Sequence, residues 1–124
     1  LSKNTHLRAS NEFRVVYSHG KQFDGRLMTA FVLVNDCVDH RLGITASRKA
    51  TGDAVDRNRA KRLLREMFRL SKPSLDSLQL KYDWVFNAKR SLLKVKTAAP
   101  LEEFQGIIAR VARTERDDSV ADRK

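Results

Sequence analysis

The order of periodicities along the chain predicts a single-domain α/β sandwich, with helices packed on one sheet. Residues 26–34, 41–47 and 81–88 alternate apolar and other side chains at period two, as strands do. Residues 53–72 and 100–111 repeat apolar residues at helical spacing. These segments interleave as helix, short strand, strand, strand, basic helix, strand, helix, the pattern of helices laid against a sheet. A chain of 124 residues is large enough for one modest core, and it carries no internal repeat or domain linker.

Residues 1–9 hold Lys3, His6 and Arg8 with little apolar content and read as a loose basic arm. Ser10 is placed to cap a helix over 11–19, with Glu12 in its first turn and Gly20 at its stop. Phe13, Val16 and Tyr17 share one face of it. Residues 21–24 form a short extended piece. In strand 26–34, Met28, Ala30, Val32 and Val34 point one way and Thr29, Phe31 and Leu33 the other. Both faces are mostly apolar, so the strand is expected to be central. After a polar turn, strand 41–47 is expected to pair with it as a hairpin. Leu42, Ile44 and Ala46 alternate there with Gly43, Thr45 and Ser47, and the second set leaves a shallow, open face.

The helix over 53–72 dominates the charge pattern. From Arg57 to Lys72 there are seven cations (Arg57, Arg59, Lys61, Arg62, Arg65, Arg69, Lys72) and one acid, Glu66, which is +6 of the chain's +10. Asp53 is a good N-cap. Ala60, Leu63, Leu64, Met67 and Phe68 share the greasy face, with Asn58, Arg62, Arg65 and Arg69 opposite. A solvated charged face usually mixes signs into i,i+4 pairs, but here only Glu66 is available, to Arg62 or Arg69. Guanidinium forks match phosphate oxygens, so the uncompensated row points to a nucleic-acid backbone.

Residues 71–79 read as a loop with at most one helical turn. Strand 81–88 sets Tyr82, Trp84 and Phe86 against Asp83, Val85 and Asn87. Residues 91–99 fit no single pattern. Pro100 suits the first position of a last helix whose buried stripe is Leu101, Phe104, Ile107, Ile108 and Val111. The charged tail, 114–124, is expected to fray.

Catalytic and metal patterns are missing from the sequence. His6, His19 and His40 are scattered, and no Cys–His set has zinc spacing. There is no phosphate-loop or G-x-S-x-G motif. Asp36 and Asp39 are a weak magnesium signal. The lone Cys37 has no internal disulfide partner and no evident base, which fits a reducing cytoplasm and an inert thiol. No stretch approaches the ~20 apolar residues of a spanning helix, and no signal-peptide pattern opens the chain. The residues describe a basic binder.

Arg57-Asn58-Arg59-x-Lys61-Arg62-x-x-Arg65-Glu66-x-x-Arg69 resembles the signature helix of the bacterial ribonuclease P protein subunit. The lead-in from Leu42 to Lys49, with Gly52, Ala54 and Val55, is similar to that family too. So are Asn11-Glu12-Phe13-x-x-Val16-Tyr17-x-x-Gly20 and the stretch from Asp83 to Lys89. Two departures stand out. The loop Ala50-Thr51-Gly52-Asp53 is one residue longer than in some members, and Asn87 stands where many have an aliphatic residue.

The resemblance implies an αβββαβα sandwich of the ribosomal protein S5 domain 2 type, with a left-handed βαβ crossover. It implies a non-catalytic protein that assists a catalytic RNA in removing the 5′ leader of precursor tRNA. The divalent metal, Mg2+, would be held mainly by that RNA. The implied partners are the catalytic RNA subunit and precursor tRNA, with neither membrane nor DNA, in the cytoplasm. By position, Phe13, Tyr17, Phe31, Thr45, Ser47, Arg48, Lys49, Arg57, Lys61 and Arg65 match the leader cleft. Asn58, Arg59, Arg62 and Arg69 match the surface turned to the catalytic RNA. The competing expectation is a ribosomal-type RNA-binding protein without enzymatic coupling. A metal-dependent nuclease using Asp36 and Asp39 is a more distant one.

Overall fold

The structure is a computed structural model that describes residues 6–122, with side chains described through residue 117. Most of the expected basic arm, including Lys3, lies outside the described residues, as do the last two residues of the expected tail. The elements are α1 (Ser10–His19), β1 (Lys21–Asp24), β2 (Met28–Val34), β3 (Arg41–Thr45) and α2 (Arg48–Thr51), then α3 (Ala54–Leu70), α4 (Lys72–Asp76), β4 (Tyr82–Ala88), a 3-10 turn (Arg90–Lys94) and α5 (Ala98–Asp122).

The sheet order is β1-β2-β4-β3, antiparallel except for the parallel β3–β4 pair. The expected β2–β3 hairpin does not form, because β4 lies between its two strands. The physical reason is burial and charge. Every residue of β4 except Asn87 is buried, so it needs a strand on each side. Asp83 of β4 then ties both neighbours: it accepts from Arg41 Nε and Nη2 (2.7 and 2.6 Å) and from Asn35 Nδ2 (2.8 Å). The segment from α2 to α4 is the crossover between the parallel strands β3 and β4.

Helices cover both faces. On one, Trp84 and Phe86 each meet Phe104 edge to face, with centroids 5.2 and 5.1 Å apart, beside Ala60, Leu64, Met67 and Phe68 of α3. On the other, α1 sets Val16 against Val85 and Leu7.

Several termini differ from expectation. Ser10 is the first helical residue of α1 and not its cap. Glu12 does the capping by reaching back, its carboxylate accepting from the N–H groups of Ala9 (3.0 Å) and Arg8 (3.1 Å). Those donors hold the Glu12 carboxyl below the usual range. The end of the arm is docked, with buried Leu7 donating its N–H to Leu42 O at 2.9 Å. Helix α5 begins two residues before Pro100 and runs past Thr114. Fraying there is countered by Glu115, which is buried and accepts from Gln79 N, Leu80 N and Tyr82 Oη.

The backbone between α2 and α3 turns at Gly52, with φ +88° and ψ −131°. Only glycine adopts that region freely, so Gly52→Ala is expected to cost about 1–3 kcal/mol, read as a lower urea midpoint at unchanged m-value.

His40, unremarkable in the sequence, is a buried hub. Its Nδ1 accepts from Tyr82 N and Trp84 Nε1 (both 3.1 Å), and its Nε2 lies 3.1 Å from Leu75 O, to which it donates. Burial holds the imidazole neutral, below its ordinary range. As pH falls below about 6.5, the unfolded chain takes up a proton that the folded chain refuses. Stability is therefore complete above that pH and declines below it, until the folded imidazole itself titrates. Urea unfolding at pH 7.5 and 5.5 should show this loss, and His40→Gln should remove most of the pH difference.

Candidate nucleic-acid interface

Helix α3 starts where its capping residue says it should. Asp53 Oδ1 accepts from Asp56 N at 3.0 Å. Ala60, Leu64, Met67 and Phe68 are buried, and Asn58, Arg59, Arg62, Arg65 and Arg69 are exposed. Glu66 pairs with Arg69, so that cation is compensated. Among the described residues, Arg57, Lys61, Arg62 and Arg65 form no ion pair. Arg59 Nη2 donates to Val95 O at 3.4 Å, which sets the segment after β4 beside this helix. The Arg57 Nε–H is buried and has no acceptor among the described residues.

A furrow runs from α1 across the outer strand β3 to α3. One cavity, of about 530 Å³, is lined by Phe13, Tyr17, Ile44 and Thr45, with Arg8, Ser10 and Arg14 at its rim. A second, of about 160 Å³, is lined on its α3 side by Lys61 and Arg65. Phe13 and Ile44 border both, so the two lie side by side along β3. The floor is low because Gly43 lies directly under Phe13: a Cβ there would stand 2.7 Å from the ring. Tyr17 is 37% exposed and meets Phe31 edge to face at 4.8 Å.

The expected leader-cleft residues divide. Phe13, Tyr17, Thr45, Lys61 and Arg65 come together in the furrow. Phe31 is half-buried behind Tyr17 and lines neither cavity. Ser47, Arg48 and Lys49 are not part of the strand. Ser47 Oγ accepts from Ala50 N (3.1 Å) and Thr51 Oγ1 donates to Ser47 O (2.8 Å), so a capped helical turn replaces the extended continuation. Arg48 and Lys49 stand exposed on that turn, which packs against α3. Arg57 lies one turn before Lys61, outside both cavities. Arg14 was missed by the sequence reading and Arg8 was read only as part of the basic arm; their exposure carries no signal until α1 is docked.

The family profile described as Ribonuclease P matches residues 1–112. The chain belongs to the bacterial ribonuclease P protein family. It is 41% identical over 90 residues to the ribonuclease P protein component of Clostridium botulinum strain Loch Maree, covering 72% of this chain and 78% of that one. The solved ribonuclease P protein of Thermotoga maritima aligns with a TM-score of 0.73 at 27% identity, over 85% of this chain and 96% of that one. That of Staphylococcus aureus aligns at 0.70 and 28%, over 87% and 94%. As a ribonuclease P protein, this chain is the protein subunit that works with an RNA in 5′-leader processing of precursor tRNA. No helix among the described residues is long and apolar enough to cross a membrane.

Proposed function

We propose that this ribonuclease P protein seats the single-stranded 5′ leader of precursor tRNA in the α1–β3–α3 furrow. One observation carries the reading: rings (Phe13, Tyr17) line one of two adjoining cavities and cations without an ion-pair partner among the described residues (Lys61, Arg65) line the other. Rings take base faces and cations take phosphates, a combination that holds single strands with little sequence choice. Phe31 supports Tyr17, and Thr45 forms the floor. Arg48, Lys49 and Arg57 extend the positive rim, with Ser47 capping the turn that presents the first two. Asn58, Arg59, Arg62 and Arg69 face the catalytic RNA from the outer side of α3, with Arg69 the weakest contributor because Glu66 holds it.

The chemistry rests with the catalytic RNA. The described residues group no three metal-ligating side chains, and Asp36 and Asp39 lie in an exposed turn. We assign Mg2+ to the RNA on the strength of the family resemblance, and this chain stabilises that RNA and its metal sites, in the cytoplasm where precursor tRNA is made. The test is cleavage of precursor tRNA by the cognate RNA subunit at low Mg2+, with and without this chain. Clear stimulation is expected; none at any salt concentration overturns the proposal.

A further inference from the structure

A separate hollow opens where α3 gives way to α4. Its volume is about 110 Å³, and no residue that lines it lines either furrow cavity. Its walls are Phe68, Leu75 and the ring of His40, all buried. His40 has spent its nitrogens on Leu75, Tyr82 and Trp84, so it offers the hollow a ring and no free polar atom. The charges that border the hollow fall into two groups. Arg69 is held by Glu66, and Lys72 and Asp76 hold each other. The carboxylate of Asp39 and the ammonium of Lys81 have no ion pair among the described residues, with each other or with any third group. One anion and one cation are therefore unspent beside an apolar cavity.

A hollow of this size has room for one aromatic ring, since an apolar cavity of about 150 Å³ takes benzene. A single-ring base fits, and the second ring of a purine does not. An unspent carboxylate accepts from an exocyclic amine, which cytosine has and uracil lacks. An unspent ammonium takes a phosphate oxygen. We infer that the hollow receives one unstacked cytosine nucleotide of the catalytic RNA, its ring against Phe68, Leu75 and His40, its amine on Asp39 and its phosphate on Lys81. The catalytic RNA is the source because Arg69 borders the hollow and also belongs to the α3 surface turned to that RNA. The inference rests on that part of the proposed function and names one subsite within it.

The experiment has two arms, both on the full chain. In the first, cytidine, uridine and adenosine 5′-monophosphates are titrated in and backbone amides are followed by NMR. The amides of His40, Phe68 and Leu75 should shift with the cytidine nucleotide, at a Kd about three- to tenfold below the other two, the size of one hydrogen bond. Asp39→Ala should level the three. In the second arm, the Kd for the cognate RNA subunit is measured without tRNA. Asp39→Ala makes the chain more positive, so diffuse attraction alone gives equal or tighter binding. The inference gives the opposite sign, a loss of about three- to tenfold, with a similar loss in Lys81→Gln. Asp39 is exposed and Lys81 half-buried, so both variants should fold, and unchanged amide spectra away from the hollow check this. Equal or tighter binding of the RNA subunit by Asp39→Ala overturns the inference. So do nucleotide shifts confined to the furrow, or a loss seen only with precursor tRNA, which would make the leader the occupant. Arg62→Ala separates the two levels. If it weakens RNA-subunit binding and Asp39→Ala does not, only the hollow falls; if neither does, the assignment of the α3 surface falls with it.

Discussion

Replacing Lys61 and Arg65 together with alanine is expected to weaken binding of precursor tRNA, with the cognate RNA subunit present, by about 2–3 kcal/mol, roughly 30- to 150-fold. The two side chains line the α3 side of the furrow, and neither has an ion-pair partner among the described residues. Their charge is therefore fully available to phosphates. The plot of log affinity against log salt should become shallower by about 1.4, as two single-strand phosphate contacts are lost. Mature tRNA, which has no leader, should lose little. The fold should not suffer, because removing two of several like charges on one helix relieves repulsion. Lys72→Ala is the control: its ammonium already meets Asp76 at 3.0 Å. Equal losses from the control and the double variant would mean diffuse charge attraction and no seat for a strand.

The largest effect on stability is expected at Trp84. Its fully buried ring packs edge to face on Phe104 at 5.2 Å and on Tyr82 at 5.8 Å, and its indole N–H donates to His40. Trp84→Ala removes the contact area, leaves a cavity under one of the sheet's two central strands, and strips one of the two donors from a buried acceptor. The sum is about 3–5 kcal/mol, a large share of what holds a domain of this size. Trp84→Phe keeps much of the volume and loses the N–H, so it should cost clearly less. Chemical unfolding separates the two. A cost below about 1 kcal/mol for the alanine variant would contradict the packing described here. Since β4 also carries Asn87 and positions β3, RNA binding by the alanine variant should be measured only where it is still folded.

How much of this was legible beforehand depended on the range of the interaction. Helix α3 was legible in full, since its cap, greasy stripe and cations are all set by residues three or four apart. The rings of α1 and the floor of β3 were legible through the family resemblance, because the motif fixes residue types at fixed spacing. Strand order was not. The β2–β3 hairpin is the local choice, and what defeats it is Asp83 binding Arg41 across 42 residues and a β4 that is buried on both faces. Likewise nothing local marks His40 as a buried hub or Glu115 as an anchor for the backbone of Gln79 and Leu80 and the hydroxyl of Tyr82. Each becomes meaningful only when a distant donor arrives. Ser47 was misread for the opposite reason: a side-chain cap within three residues won over the strand pattern. Asn87 looked like a departure from an aliphatic position, and only the docking of α1 gives it two hydroxyl partners.

The most direct test of the furrow as the leader's seat is the affinity of the full chain, with its cognate RNA subunit, for precursor and mature tRNA at two salt concentrations. A clear preference for precursor tRNA is expected, shrinking as salt rises and nearly abolished in the Lys61→Ala, Arg65→Ala double variant. Equal affinity for the two tRNAs, unchanged by that variant, would contradict it and favour an RNA-binding protein with no coupling to cleavage.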